Sequence, residues 1–206
     1  GDFIIDPLMR GAYDMDLGKI AYVGKKGVLA LLQESTFSEK SGHTSPNHRL
    51  VGLFKETIAH SKNRIMFLVL PTHLYTIQEI FDAARNTHRK VVIMGKNLQN
   101  LVEMAIREHY LEIEDGILGG LSDANNKDAI ILMADSKQNP YACISKVLNG
   151  YDKFIHLKNT DTIVFAEPRY DENEKLLVKI ENDLAMHGCD IVSIPKGKTI
   201  LHHASK

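Results

Sequence analysis

Only two cysteines occur in the 206 residues, Cys143 and Cys189, and their separation is not that of a metal-binding pair. They read as reduced, structural thiols in a cytosolic protein, outside any disulfide framework. Long apolar runs are missing too. None approaches the roughly 18 residues of a membrane span, and no stretch reads as a signal or transit segment. An excess of charge of either sign is absent: the formal net charge is −1. No global field therefore draws the chain to nucleic acid or membrane, and such binding would rest on local patches such as residues 85–90 or 196–198. Common catalytic signatures are lacking as well. There is no Walker loop, no G-x-S-x-G elbow, no H-E-x-x-H and no H-x-H-x-D-H. The ten histidines include the close pairs His43/His48 and His202/His203, but neither pair has a third donor at ligand spacing. The glycines of residues 116–120 do not have dinucleotide-fingerprint spacing and read as a loop.

What is present is a core of buried strands alternating with helices. With 44% hydrophobic residues, the chain can bury a sizeable core. Residues 65–70 form an unbroken apolar run, the mark of a strand buried on both faces. Pro71 and Thr72 break it. Ile77, Ile80, Phe81 and Ala84 then fall at helical spacing. A basic turn leads to a second apolar run, residues 91–94, closed by Gly95. Strand, helix, strand in that order implies a parallel pair with a right-handed crossover. Ligands of such sheets lie beyond the carboxyl ends of the strands. That directs attention to residues 71–75, 95–97, 134–140 and 167–169.

Around this unit the pattern predicts a strand over residues 2–6, a short helical turn within 16–22, and a buried strand over 28–32. Residues 37–49 read as a loop. Leu50, Phe54, Thr57 and Ile58 mark a helix. Leu98, Leu101, Val102 and Ala105 mark another, with Asn97 as N-cap and a Glu103–Arg107 pair on its wet side. Residues 110–126 read as irregular. Further strands are expected over 129–133, 154–157, 163–166 and 191–194. A helix over 141–148 and a longer one capped by Asp171, with Leu176, Leu177, Ile180 and Leu184 inward, complete the list. The expected fold class is α/β, a mostly parallel sheet with helices on both faces. Glu34, Ser35 and Thr36 follow the 28–32 run, where a carboxylate and two hydroxyls make either a site or a turn.

The sequence GDF at residues 1–3, the EST at 34–36, the inserted α/β pattern and the HAS at 203–205 occur in one register along essentially the whole chain. Together they resemble the metallo-β-lactamase-fold nucleases of the β-CASP group, most closely the ribonuclease J branch. Residues 27–32 and 90–96 are similar to that family's strands. The resemblance implies a zinc-dependent ribonuclease in which the inserted domain clamps RNA over a di-zinc site lying mostly outside this chain. It implies a metallo-β-lactamase fragment at 1–36, a β-CASP domain at 37–196 and a return segment at 197–206. The chain is thus expected to be an excised piece of a longer protein.

Carried over by motif, Asp2 would be a metal ligand, with Glu34 and His203 in catalysis. Ser35, Thr36, Thr72, Ser136, Lys137 and Ser205 would contact RNA. Zinc would be the cofactor of the intact protein and RNA its partner, with a second copy or a partner ribonuclease subunit, in the cytoplasm and away from membranes. Two loops depart from the family pattern. Residues 71–76 read PTHLYT where A-S-N-x-H-R is usual, and residues 134–140 read ADSKQNP in place of T-G-S-Q-G-E-P. These departures suit the alternative of a catalytically degenerate RNA-binding or scaffolding paralogue. The bare α/β pattern alone would also suit a flavodoxin-like nucleotide-binding domain, though no phosphate loop accompanies it.

Overall fold

The computed structural model describes residues 3–39, 41–44, 48–134, 141–167, 169, 171–194 and 203–204. The chain divides into two compact units, Gly1–Arg49 with Gly197–Lys206, and Leu50–Lys196.

The larger unit is a six-stranded sheet in which every pairing is parallel. Its strands are β1 (Ile65–Val69), β2 (Val91–Met94), β3 (Leu118–Gly119), β4 (Ile130–Ala134), β5 (Thr162–Phe165) and β6 (Asp190–Ser193), in the spatial order β3-β2-β4-β1-β5-β6. Between them run α3 (Leu74–Ala84), α4 (Lys96–Arg107), α5 (Ala142–Leu148) and α6 (Glu174–His187), with α2 (Val51–His60) leading in. Successive strand residues point to opposite faces, and in β1 both sets are buried. Met66, Leu68, Ile131, Met133, Ile163 and Phe165 pack with Ile144 and Val147 of α5 and Leu177, Ile180 and Leu184 of α6. Phe67, on the opposite face, meets Phe54 of α2 edge-on, ring centroids 5.2 Å apart. Each such side chain adds about 1.5–3 kcal/mol by leaving water. The α/β reading with covered faces therefore holds.

The amino ends of the strands carry buried charge. Arg64, immediately before β1, is 1% exposed and Asp161, before β5, is fully buried. Arg64 Nε donates to Asp161 Oδ1 at 3.0 Å and Nη2 to Oδ2 at 2.5 Å. The same guanidinium donates to the carbonyls of Ala124 and His156 and to Asn125 Oδ1. Arg89, before β2, donates to the carbonyls of Ile58, Ser61, Asn63 and Asp128. Buried Glu79 on α3 accepts the Leu50 N–H at 2.8 Å, so a remote carboxylate satisfies an orphan donor at the start of α2.

Several expected elements differ. Residues 154–157 form no strand. Asp152 Oδ1 accepts the N–H groups of Phe154 and Ile155, while the carbonyls of Phe154 and His156 go to Asn125 and Arg64. The backbone groups a ladder would use are already engaged. The irregular 110–126 stretch contains β3 at the sheet edge and a 3₁₀ turn, Leu121–Asn125. Gly95 with φ +92°, not Asn97, is the N-cap of α4. Arg107 pairs with Glu108 at 2.9 Å instead of Glu103. Asp171 opens a 3₁₀ turn and α6 starts after Asn173, leaving Leu176 exposed.

In the smaller unit, residues 3–6 and 28–32 are not strands among the described residues. An extended segment becomes a strand only by pairing, and neither has a described partner, so Leu29, Leu31 and Leu32 stand exposed. The expected short turn is a full helix, α1 (Leu17–Lys25), started by Asp16, whose carboxylate accepts the Lys19 N–H at 2.8 Å. Buried Asp6 accepts the Leu8 N–H and lies 3.4 Å from His48 Nε2.

Candidate functional site

Within the smaller unit the fold brings Glu34 and His203 together across 169 residues of sequence. His203 Nδ1 lies 2.9 Å from Glu34 Oε2. The turn after residue 33 positions the carboxylate, because the Thr36 N–H donates to the same Oε2 at 3.2 Å. Phe37, buried beside it, meets the His203 ring edge-on at 5.4 Å. Thr44 Oγ1 donates to the His203 carbonyl at 2.8 Å. The imidazole is thus fixed by a carboxylate, a phenyl edge and a hydroxyl on its own backbone.

Burial opposes ionisation of Glu34. The Thr36 hydroxyl and N–H, with the His203 ring, outweigh it and lower the carboxyl pKa from 4.5 to about 2. Glu34 is an anion at any physiological pH. A carboxylate on one ring nitrogen sets the imidazole tautomer, as in histidines that move protons or contact phosphates. Glu34 Oε1 is buried without a hydrogen-bond partner among the described residues, which leaves one strong acceptor available.

A zinc site takes three or four N, O or S ligands. Among the described residues no three His, Cys, Asp or Glu side chains converge. Glu34 and His203 supply at most part of a coordination shell. Of the remaining sequence candidates, Ser35 and Thr36 lie exposed in the turn that holds Glu34. Asp2, Ser136, Lys137 and Ser205 fall outside the described residues.

In the larger unit, Thr72 is exposed in the two-residue turn beyond β1, just before His73 at the start of α3. Its position is topologically special. β1 feeds α3 and β2 on one side, while its neighbour β4 feeds α5 and β5 on the other. The connections leaving β1 and β4 therefore diverge, the switch point at which open α/β sheets bind ligands. Val69 is in register with Ala134 there. The basic turn at 85–90, by contrast, lies at the amino ends of the strands. Arg89 is spent on four carbonyls and Lys90 on the Gly116 carbonyl, so much of that patch serves the fold. At the carboxyl edge the sequence reading missed two described cations, Lys96 at the start of α4 and Arg169 beyond β5. Both lie in stretches at the carboxyl ends of strands that the strand–helix pattern had marked, which was the signal available.

Comparison with known proteins matches residues 62–184 to the family described as Ribonuclease J, beta-CASP domain. Over its whole length the chain is 28% identical to Ribonuclease J2 of Bacillus subtilis, covering 38% of that protein. It is 26% identical to Ribonuclease J 2 of Streptococcus pyogenes, again covering 38%. To Ribonuclease J of Synechocystis sp. it is 27% identical, covering 33%. The chain thus spans well under half the length of the curated relatives it matches.

Proposed function

This chain belongs to the ribonuclease J β-CASP family, and from that premise we propose that it is the RNA-gripping part of an RNA-processing or RNA-degrading nuclease. The observation that carries the reading is the Glu34–His203 pair, which joins the two ends of the chain at 2.9 Å. In this proposal residues 1–36 and 197–206 belong to the hydrolytic fold and residues 37–196 form the β-CASP domain.

Glu34 keeps its negative charge and orients His203, so that the imidazole is held for its part in catalysis. Thr36 fixes the Glu34 turn. Ser35, Thr72, Ser136, Lys137 and Ser205 supply hydroxyl and ammonium donors to RNA phosphates. Zinc in the intact protein, with Asp2 among its ligands, would supply an activated water. The chain's own residues bind and orient. A cytoplasmic setting and assembly with a second copy or a partner ribonuclease subunit complete the proposal. No helix among the described residues is long and apolar enough to cross a membrane.

Filter binding of single-stranded oligouridylate to the 206-residue chain across a salt series tests the grip. Affinity should fall steeply with salt, because each phosphate contact releases counterions. Absence of binding at low salt refutes the reading. The chain alone is expected neither to cleave RNA nor to retain an equivalent of zinc. Tight stoichiometric zinc would overturn the assignment of most metal ligands to other parts of the protein.

A further inference from the structure

We propose that Arg169 is a pre-positioned phosphate contact at the carboxyl edge of the larger unit's sheet. The proposal deepens the RNA-binding reading above and rests on it. Arg169 lies four residues past Phe165, and Thr72 lies four past Leu68, the residue paired with Phe165. Their loops therefore leave two neighbouring strands, about 5 Å apart, at the same end of the sheet, beside the switch point.

The guanidinium is held from behind. Nη2 donates to Glu181 Oε1 on α6 at 2.5 Å and to Ser193 Oγ, at the end of β6, at 3.1 Å. Ser193 Oγ in turn lies 3.1 Å from the same Glu181 oxygen. Two elements, α6 and β6, thus fix one nitrogen, while the Arg169 side chain stays 47% exposed and Glu181 is only 19% exposed. Of the five N–H donors of an arginine, the three on Nε and Nη1 have no protein partner among the described residues. A pair this open adds little to stability by itself. It does remove much of the rotamer freedom that a phosphate contact would otherwise have to freeze. Planar donors in a fixed fork suit phosphate oxygens better than a mobile ammonium does. The 71–76 loop contains no Arg or Lys, so the guanidinium in the neighbouring loop beyond β5 supplies directed N–H donors to that edge even with its charge balanced by Glu181.

The test measures oligouridylate binding by the 206-residue chain and its variants over a salt series, with thermal melts as a control. Arg169→Ala is expected to weaken binding about tenfold at low salt and to flatten the log–log salt slope by about 0.7, with the melting temperature nearly unchanged. Arg169→Lys keeps the slope and recovers part of the affinity. Arg169→Ala binding with wild-type affinity and slope overturns this proposal and leaves the RNA-binding reading standing. So does an Arg169→Lys variant that loses as much affinity and slope as Arg169→Ala. Failure of the wild-type chain to bind overturns both.

Discussion

Replacing Arg64 with methionine would expose how the sheet is held at its amino end. The substitution keeps the aliphatic volume and removes five donated hydrogen bonds, two of them to a fully buried carboxylate. Removing one partner of a buried ion pair costs about 3–5 kcal/mol, because the other charge stays in the interior uncompensated. With a urea m-value of about 2 kcal/mol per molar, the midpoint for the larger unit should drop by about 2 M. The chain contains no tryptophan, so far-ultraviolet circular dichroism is the natural probe. Asp161→Asn should cost about 3 kcal/mol by the same reasoning. In the double variant much of the second cost should vanish, giving a coupling of about 2 kcal/mol or more. Recovery stays incomplete, since the Arg64 partners Ala124 and His156 lose their donor and Asp161 also accepts the Lys158 N–H. A midpoint shift under about 0.5 M for Arg64→Met, or strictly additive costs, would refute the reasoning.

Four further outcomes follow from the geometry. The Glu34 carboxyl carbon should titrate in NMR with a midpoint near 2, and its contribution to stability should be complete above pH 4.5 and fade as pH falls toward 2, because the unfolded chain binds the extra proton; an ordinary midpoint contradicts the contacts described. His203→Ala should raise that midpoint partway and leave the Thr36 share. Burial, with Asp161 and Asp190 nearby, pushes the Cys189 thiol up to about 11, so iodoacetamide at pH 8 should spare it in the native chain and label it in urea; rapid native labelling would contradict its placement. Glu79→Ala should destabilise the larger unit by about 1–3 kcal/mol by orphaning the Leu50 N–H, and a chemical melt showing no loss would remove Glu79 from that role.

The central sheet was legible because burial on both faces leaves a local trace, an unbroken apolar run such as Ile65–Val69. The same trace misled at residues 28–32, whose apolar side chains stand exposed. Pairing is a non-local event that a single run cannot report. The 154–157 stretch failed for a different reason: one aspartate two residues upstream captured its N–H groups. Helical faces came through well at Phe54, Ile77 and Leu184, whereas caps were misjudged. Gly95 uses a positive φ that Asn97 does not need. The local run at residues 34–36 marked Glu34 as a site or a turn, but only motif order linked it with His203, since no local pattern announces a contact 169 residues apart. Arg64 escaped notice because a charged residue before a strand usually signals solvent.

The strands themselves separate two kinds of constraint. Arg64, Arg89 and Asp161 are locked at one end, while Thr72 and Arg169 stand open at the other. Random substitution should therefore meet a steep penalty at the first residues of each strand and wide tolerance past the last. A lineage carrying this architecture can rewrite what it grips without renegotiating how it folds, and loops such as 71–76 can drift far from their relatives while the scaffold beneath them stays intact.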